Sequence, residues 1–342
     1  MLRNKPQPSL YEISGWNMSK PFEQLVNIGE LDIYLSGVVA NHSFFGEVVG
    51  SSANFGYYPL EEAWYELVER VSVLEAMNRS DFILRSSANF RQTGIVEQRV
   101  VFPPPGVVEQ DGVQVTAFQY AKSNGVALYS SWSEACRRAS LELVERHLVL
   151  ASWVGGTITH TFPAESTRLW SLTRFYDVTG IAFGSQAIAG SERPVIVSGY
   201  MLLPKSNSSP LVFGFGAGFT REESLAKAER ETIQRLGFLW GEEIPSSDPE
   251  FQASHLYHQD YYLQPERRKV LEGWIAGKHH QKNSFAMPAV LSIEYADLSS
   301  PGRPELFVAK AMAREAIPLV FGKWREREFS HVPDEHLIHP IA

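Results

Sequence analysis

Apolar residues recur at the three- and four-residue spacing of an amphipathic helix in three windows, 59–74, 131–150 and 220–239. Each window opens on a helix-start signal. Ser131 with Glu134 and Thr220 with Glu223 have the spacing of a capping box, in which side chains satisfy otherwise unpaired backbone N–H groups. Pro59 suits a first helical turn, where its missing N–H costs nothing. A strand-like segment marked by glycine or asparagine precedes each helix, over 44–55, 115–129 and 211–219. Further strands are expected over 195–203 and 289–295, and an aromatic-rich helical segment over 251–280. The pattern predicts an α/β chain, with α+β left open, built around three strand–turn–helix units. These long, divergent units belong to one domain rather than to a solenoid of short modules.

The polar faces of the three helices are also related. The pentapeptide Glu-Leu-Val-Glu-Arg runs over 66–70 and again over 142–146, and Glu-Thr-Ile-Gln-Arg occupies 231–235. In this register an alanine stands three positions earlier each time (Ala63, Ala139, Ala228) and a leucine eight positions later (Leu74, Leu150, Leu239). On a helix, residues i, i+3 and i+4 share a face. Glu66, Glu69 and Arg70 are thus expected to project together, as are Glu142, Glu145 and Arg146. A single copy reads as a solvated stripe with an i,i+4 ion pair of roughly 0.2–0.5 kcal/mol. Three copies in one register favour helices that converge and pool their carboxylates. Carboxylates facing one cavity repel each other, and a divalent cation offsets that repulsion. Magnesium suits such oxygens and shares its coordination with nucleotide phosphates, while arginine grips phosphate or carboxylate by forked hydrogen bonds.

Three stretches give the chain a family likeness. Ser-Asn-Gly-Val-Ala at 123–127 leads into Trp-Ser-Glu-Ala-Cys-Arg-Arg-Ala-Ser-Leu-Glu-Leu-Val-Glu-Arg at 132–146. Phe-Gly-Phe-Gly-Ala-Gly-Phe at 213–219 leads into a helix bearing Glu231 and Gln234, and the first pentapeptide stands at 66–70. In order and spacing these resemble the YcaO-like family over roughly residues 45–340. The pattern of Pro318 to Gly322 followed by His339-Pro340 is also similar to that family's C-terminal part.

The resemblance implies an ATP- and Mg2+-dependent enzyme acting on peptide backbone amides. It implies a nucleotide site formed by Glu66, Glu69, Arg70, Asn124, Glu142, Glu145, Arg146, Glu231 and Gln234, with Glu66, Glu69, Glu142, Glu145 and Glu231 as metal ligands. No separate catalytic residue is assigned. The expected reaction is azoline-forming cyclodehydration during maturation of a ribosomally made peptide. Thioamide or amidine formation by the same ATP chemistry is the first alternative, and a non-catalytic scaffold or substrate-binding subunit the second. The expected partners are a precursor peptide and a separate protein that binds its leader, with a homodimer left open. Residues 1–40 are expected as an N-terminal extension, and 41–342 as one domain with a helical insert at about 245–282.

Four positions depart from the family pattern. Gly50 to Gly56 lacks the lysine of a Gly-Lys-Gly segment, and Glu62 stands where a serine is expected. His147 follows the second pentapeptide in place of an aspartate, and the proline-rich C-terminus is reduced to His-Pro-Ile-Ala at 339–342. The first copy is therefore expected to be the most altered part of the site.

Composition narrows the setting. Of 342 residues, 44% are hydrophobic and 20% charged, as in a globular chain, and the net charge of −8 argues against a nucleic-acid surface. No signal peptide is apparent, and no apolar run approaches the roughly 20 residues that span a bilayer, so a cytoplasmic location without membrane contact is expected. The single cysteine, Cys136, is expected to be a buried structural thiol. Gly214, Gly216 and Gly218 precede a helix and fit either tight packing or phosphate approach, with the resemblance favouring the latter. His255, His258 and Asp260 have permissive helical spacing but lack a further ligand, so they are not expected to bind metal. His279-His280 is expected to be solvated.

Overall fold

A computed structural model describes residues 12–110, 112–155, 157, 159–244, 247–278, 287–323 and 337–341. In chain order the elements are β1 (Asn17–Met18), β2 (Phe22–Ile28), β3 (Leu31–His42), β4 (Gly46–Asn54), α1 (Leu60–Ala76), β5 (Asp81–Arg85), β6 (Gln92–Glu97) and α2 (Gln98–Val101). There follow β7 (Gly106–Gln110), β8 (Val113–Tyr120), β9 (Val126–Tyr129), α3 (Trp132–Trp153), β10 (His160–Pro163), α4 (Thr167–Trp170), β11 (Tyr176–Ile188), β12 (Val195–Pro204) and β13 (Val212–Gly218). The last are α5 (Arg221–Leu239), α6 (His255–Leu263), α7 (Arg268–Ile275), β14 (Val290–Leu291), β15 (Glu294–Asp297), β16 (Phe307–Met312) and β17 (Val320–Gly322).

These strands form four sheets, and every pairing is antiparallel except β11 with β14. One sheet joins β1, β2 and β4 to the central β3; a second runs β10-β11-β12-β13 with β14 beside β11. A third runs β6-β5-β15-β16-β9, and the fourth is β17-β8-β7. Residues expected as an N-terminal extension thus build β1–β3, and β3 pairs with β4 from Tyr34–Asn54 to His42–Gly46.

The three long helices each bridge two sheets. α1 lies on β4 and β3 and touches β9; α3 lies between β9–β16 and β11–β13; α5 lies between β12–β13 and β3–β4. This explains their burial. α3 is covered on nearly all sides, from Trp132 to Trp153, whereas α1 buries one stripe that includes Ala63, Leu67, Val68 and Val71. Close approach requires glycine. A Cβ on Gly50 would sit 2.2 Å from the Ala63 carbonyl oxygen of α1, and one on Gly216 would sit 2.2 Å from that of Ser224 on α5.

The helix bounds agree with the apolar spacing, but the caps differ. Thr220 Oγ1 accepts the Glu223 N–H at 3.2 Å, and Glu223 in turn accepts the Phe219 N–H at 2.8 Å. Ser131 makes no side-chain cap bond, and the Glu134 carboxylate pairs with Arg137 and Arg138 at 2.7 and 2.9 Å. The segment expected as one strand over 115–129 is two strands in different sheets, β8 and β9, separated by the turn at 122–125. The strand expected over 289–295 is likewise split between β14 and β15.

The aromatic segment serves packing. Trp274 and Tyr262 are 1% exposed and meet Trp153 edge to face at 5.3 and 5.9 Å between ring centroids. Cys136 is buried beside Ala135 and Ala139, and burial pushes its thiol up to about 12. Residues 279–280 lie outside the described residues.

Candidate functional site

α1, α3 and α5 direct their polar faces into one cavity of about 1120 Å³. Glu66, Glu69 and Arg70 line it from α1, Glu142 and Arg146 from α3, and Lys227, Glu231, Gln234 and Arg235 from α5. The turn between β8 and β9 contributes Ser123 and Asn124, and α6 contributes His255 and Gln259 at another wall. Of the nine residues expected at the site, eight line this cavity. Glu145 does not; it is fully buried behind the wall.

β4 connects two of the helices. The Ser51 N–H donates to Glu66 Oε2 at 3.0 Å, and Gln234 Nε2 donates to the Ser51 carbonyl oxygen at 3.2 Å. Glu69 Oε2 accepts the Leu128 N–H at 2.9 Å, which fixes α1 to β9. Asn124 leaves its Oδ1 buried without a partner, a free acceptor at the cavity. Its backbone carbonyl oxygen and that of Lys122 accept from Lys310 Nζ at 3.0 and 2.8 Å. Burial pushes the Lys310 ammonium down to about 8.

The i,i+4 pairs of a solvated stripe, Glu66–Arg70, Glu142–Arg146 and Glu231–Arg235, do not all form. Arg70 Nη2 meets Glu66 Oε1 at 2.6 Å, and its Nη1 donates to the Val49 carbonyl oxygen at 2.9 Å. Arg146 instead lies 3.4 Å from Glu145, its chain neighbour. Lys227 stands 2.9 Å from Glu145 and 3.5 Å from Glu231, so it bridges α3 and α5. Arg235 has no carboxylate within ion-pair distance among the described residues; its guanidinium lies over the Phe213 ring at 4.2 Å. Lys227 and Lys310 escape a reading based on the pentapeptide because tertiary packing delivers them. The one local signal for Lys227 is its place one turn before Glu231.

The charges are strongly perturbed. Burial, then repulsion from Glu142, pushes the Glu69 carboxyl up to about 8. Burial also pushes Glu142 up to about 7, against the pull of Arg146 and Lys227. Glu66 and Glu231 are raised as well, again chiefly by burial. Glu145 is the exception: burial opposes its charge, yet Lys227 and Arg146 together hold its carboxyl below the ordinary value. The cavity carboxylates are therefore short of counter-charge, while the buried one has two cations beside it. Among the described residues, no group of three or more His, Cys, Asp or Glu is arranged to hold a metal ion by protein ligands alone. Magnesium commonly keeps several of its positions for water and phosphate, so one or two carboxylates suffice for it.

Other sequence candidates resolve differently. Gly214, Gly216 and Gly218 lie within β13 rather than in a phosphate loop, and α5 fills the space their side chains would need. Gly214 still lines the cavity. Both ring nitrogens of His258 are engaged, by the His339 carbonyl oxygen and the Gly322 N–H at 2.9 Å each. His147 is buried, accepts the Ile317 N–H at 3.0 Å and does not line the cavity. The segment from Leu337 to Ile341 is held by Tyr262 and His258, and Ile341 reaches the cavity wall.

Comparison with known proteins agrees with this architecture. A search of curated proteins gives no match. A YcaO protein from Methanopyrus kandleri, solved bound with AMPPCP and Mg2+, is 17% identical and superposes with a TM-score of 0.53 over 86% of this chain and 85% of its own. A heterocyclase in complex with substrate and cofactor is 13% identical, with a TM-score of 0.53, over 88% of this chain and 50% of its own. A chain of the E. coli microcin synthetase complex McbBCD with pro-MccB17 bound is 12% identical, with a TM-score of 0.54, over 90% and 89%. At these identities the likeness is one of fold. The family model described as YcaO cyclodehydratase, ATP- and Mg2+-binding, matches residues 95–287, more than half of the chain. That match places the chain in the YcaO family, whose cofactors are ATP and Mg2+.

Proposed function

We propose that the cavity between α1, α3 and α5 binds magnesium ATP and activates backbone amides of a peptide, with azoline-forming cyclodehydration as the reaction. The observation that carries this reading is the set of under-compensated carboxylates on three helices. Glu69 and Glu142, raised to about 8 and about 7, are stabilised as anions by a divalent cation. Glu66, Glu69, Glu142 and Glu231 are the residues that would hold the metal, with Arg146 and the free Asn124 Oδ1 as contacts to the nucleotide. Glu145 supports them from behind, by holding Lys227 and Arg146 in place. When bound, magnesium ATP supplies the phosphoryl group that turns an amide oxygen into a leaving group. The protein's part is positioning and charge neutralisation, with the fixed cations placed before the reaction.

Phe238, Leu239, Leu319, Phe321 and Ile341 add an apolar part to the cavity lining, which suits a peptide. The structural relatives solved with substrate or with pro-MccB17 support a peptide as the second occupant. A separate protein that binds the leader is the expected partner. No described helix is long and apolar enough to cross a membrane.

The test is Glu142→Gln, which keeps shape and removes the charge. It is expected to abolish ATP turnover while the protein remains folded by circular dichroism. Unchanged turnover would refute the site. Product mass then separates the chemistries: loss of water accompanies azoline formation, whereas replacement of oxygen by sulfur marks a thioamide.

A further inference from the structure

The cations around the cavity are unequally partnered. Arg70 has Glu66, Arg146 has Glu145, and Lys227 has Glu145 and Glu231. Lys122 lines the cavity without a carboxylate but is exposed, so water solvates it. Arg235 is different. It is half-buried, its Nε is sealed from solvent with no hydrogen-bond acceptor, and its guanidinium forms neither hydrogen bond nor ion pair among the described residues. Glu231, one turn earlier on α5, attracts it from beyond ion-pair distance while pairing with Lys227.

A guanidinium presents five donors in a planar fork and stays charged. Leaving its Nε sealed from water without an acceptor is unfavourable. The Phe213 ring at 4.2 Å offsets part of that cost through its negative face, but it accepts none of the donors in the plane. After burial the largest influence is a second cation: burial and then Arg146 push Arg235 down to about 10. Two guanidiniums that repel each other, both lining one cavity, make a local excess of positive charge beside the carboxylates. An anion with several oxygens removes that repulsion and fills the empty donors together.

We propose that Arg235 is an anion-binding residue of this cavity, left without a carboxylate partner so that an oligophosphate completes it together with Arg146. The inference rests on the reading of the cavity as a nucleotide site and assigns a residue to its phosphates. Arg146 is tethered through Glu145, whereas Arg235 has its full set of donors free. Arg235 therefore contributes to oligophosphate affinity and little to the stability of the ligand-free fold.

Two variants test this, Arg235→Met, which keeps the apolar stem, and Arg235→Lys, which keeps the charge without the fork. The measurements are the melting temperature of the ligand-free protein, calorimetric affinity for magnesium ATP, and the melting shift given by tripolyphosphate and by adenosine. Arg235→Met is expected to melt at or above the wild-type temperature and to bind magnesium ATP at least about tenfold more weakly, a loss of one charge-assisted contact. Its tripolyphosphate response is lost, its adenosine response is unchanged, and Arg235→Lys falls between. Affinity within twofold of wild type in Arg235→Met overturns the assignment and leaves the nucleotide site standing. A lowered ligand-free melting temperature in both variants, or failure to fold, shows a structural role and overturns it as well. A wild-type protein that binds no magnesium ATP overturns the nucleotide reading itself, and the assignment falls with it.

Discussion

The two sides of the cavity solve the same electrostatic problem differently. On the α1 side, Glu66 and Arg70 form a simple pair one helical turn apart, with Arg70 49% exposed. On the α3–α5 side, Glu145 is wholly buried and draws Lys227 from the neighbouring helix, while Arg146 is pulled away from Glu142. An identical pentapeptide thus gives a local pair with a half-exposed arginine in one helix and part of an interhelical network in the other. The difference follows from burial. α1 rests with one face on its sheet, whereas α3 is enclosed between two, so its charges must find partners wherever the fold supplies them. The family match begins at residue 95 and so includes the α3 and α5 copies but not α1.

The largest expected effect comes from breaking the network. Glu145→Ala leaves Lys227 and Arg146 without their buried anion and is expected to lower unfolding free energy by about 3–5 kcal/mol in chemical denaturation. A loss below about 1 kcal/mol would make the two sides alike. In packing the sides are expected to be equal. Gly50→Ala and Gly216→Ala each force a Cβ to within 2.2 Å of a helix carbonyl oxygen. Each should cost about 1–3 kcal/mol or more.

Proton linkage gives a third test, with its sign set by Glu69 and Glu142. Their carboxyls, raised to about 8 and about 7 from 4.5, keep protons in the folded protein that the unfolded chain has already released. Stability of the ligand-free protein therefore falls as pH rises from 6.5 to 8, at up to about 1.4 kcal/mol per pH unit for each proton. Below 6.5 the buried His147 and His339, held down to about 4, act in the opposite sense. Lys310 begins to oppose the fall near pH 8. Comparison of Glu69→Gln with wild type isolates one of the two carboxyls: the variant should show a shallower fall in melting temperature, and a parallel one would place its proton elsewhere. The smallest effect is expected on the solvated side, where Arg70→Ala should cost about 0.2–1 kcal/mol of stability, read from the denaturation midpoint.

These contrasts also mark how far the sequence could be read. Helix spacing found α1, α3 and α5 and the convergence of seven site residues, because burial of an apolar stripe fixes which way the polar face turns; Asn124, in the turn before β9, came from the family resemblance. Spacing could not choose partners. The Glu142–Arg146 pair of i,i+4 spacing yields to Arg146 with Glu145, and Glu145 takes Lys227, 82 residues away and delivered by α5, which packs on β12 and β13 as α3 does. Nor could composition tell a glycine needed for phosphate approach from one needed for helix contact, since both require a bare backbone. The segment Ser-Ser-Ala-Asn-Phe makes the limit plain. At 51–55 its first four residues lie in β4 with the Ser51 N–H donating to Glu66, whereas at 86–90 it turns and Phe90 takes a positive φ of 59°. The same five residues adopt whichever conformation their neighbours pay for.

The bridge from Lys227 to Glu145 also has a temporal meaning. A ribosome delivers α3 well before it delivers α5, and an anion cannot be enclosed until its counter-ion exists. A nascent chain that ends before residue 227 leaves Glu145 with Arg146 alone and without Lys227. The closing contacts come later still, when Ile338 and Ile341 enter the core around α3. Assembly of this cavity therefore waits on α5, which supplies Lys227, Glu231, Gln234 and Arg235 to its wall.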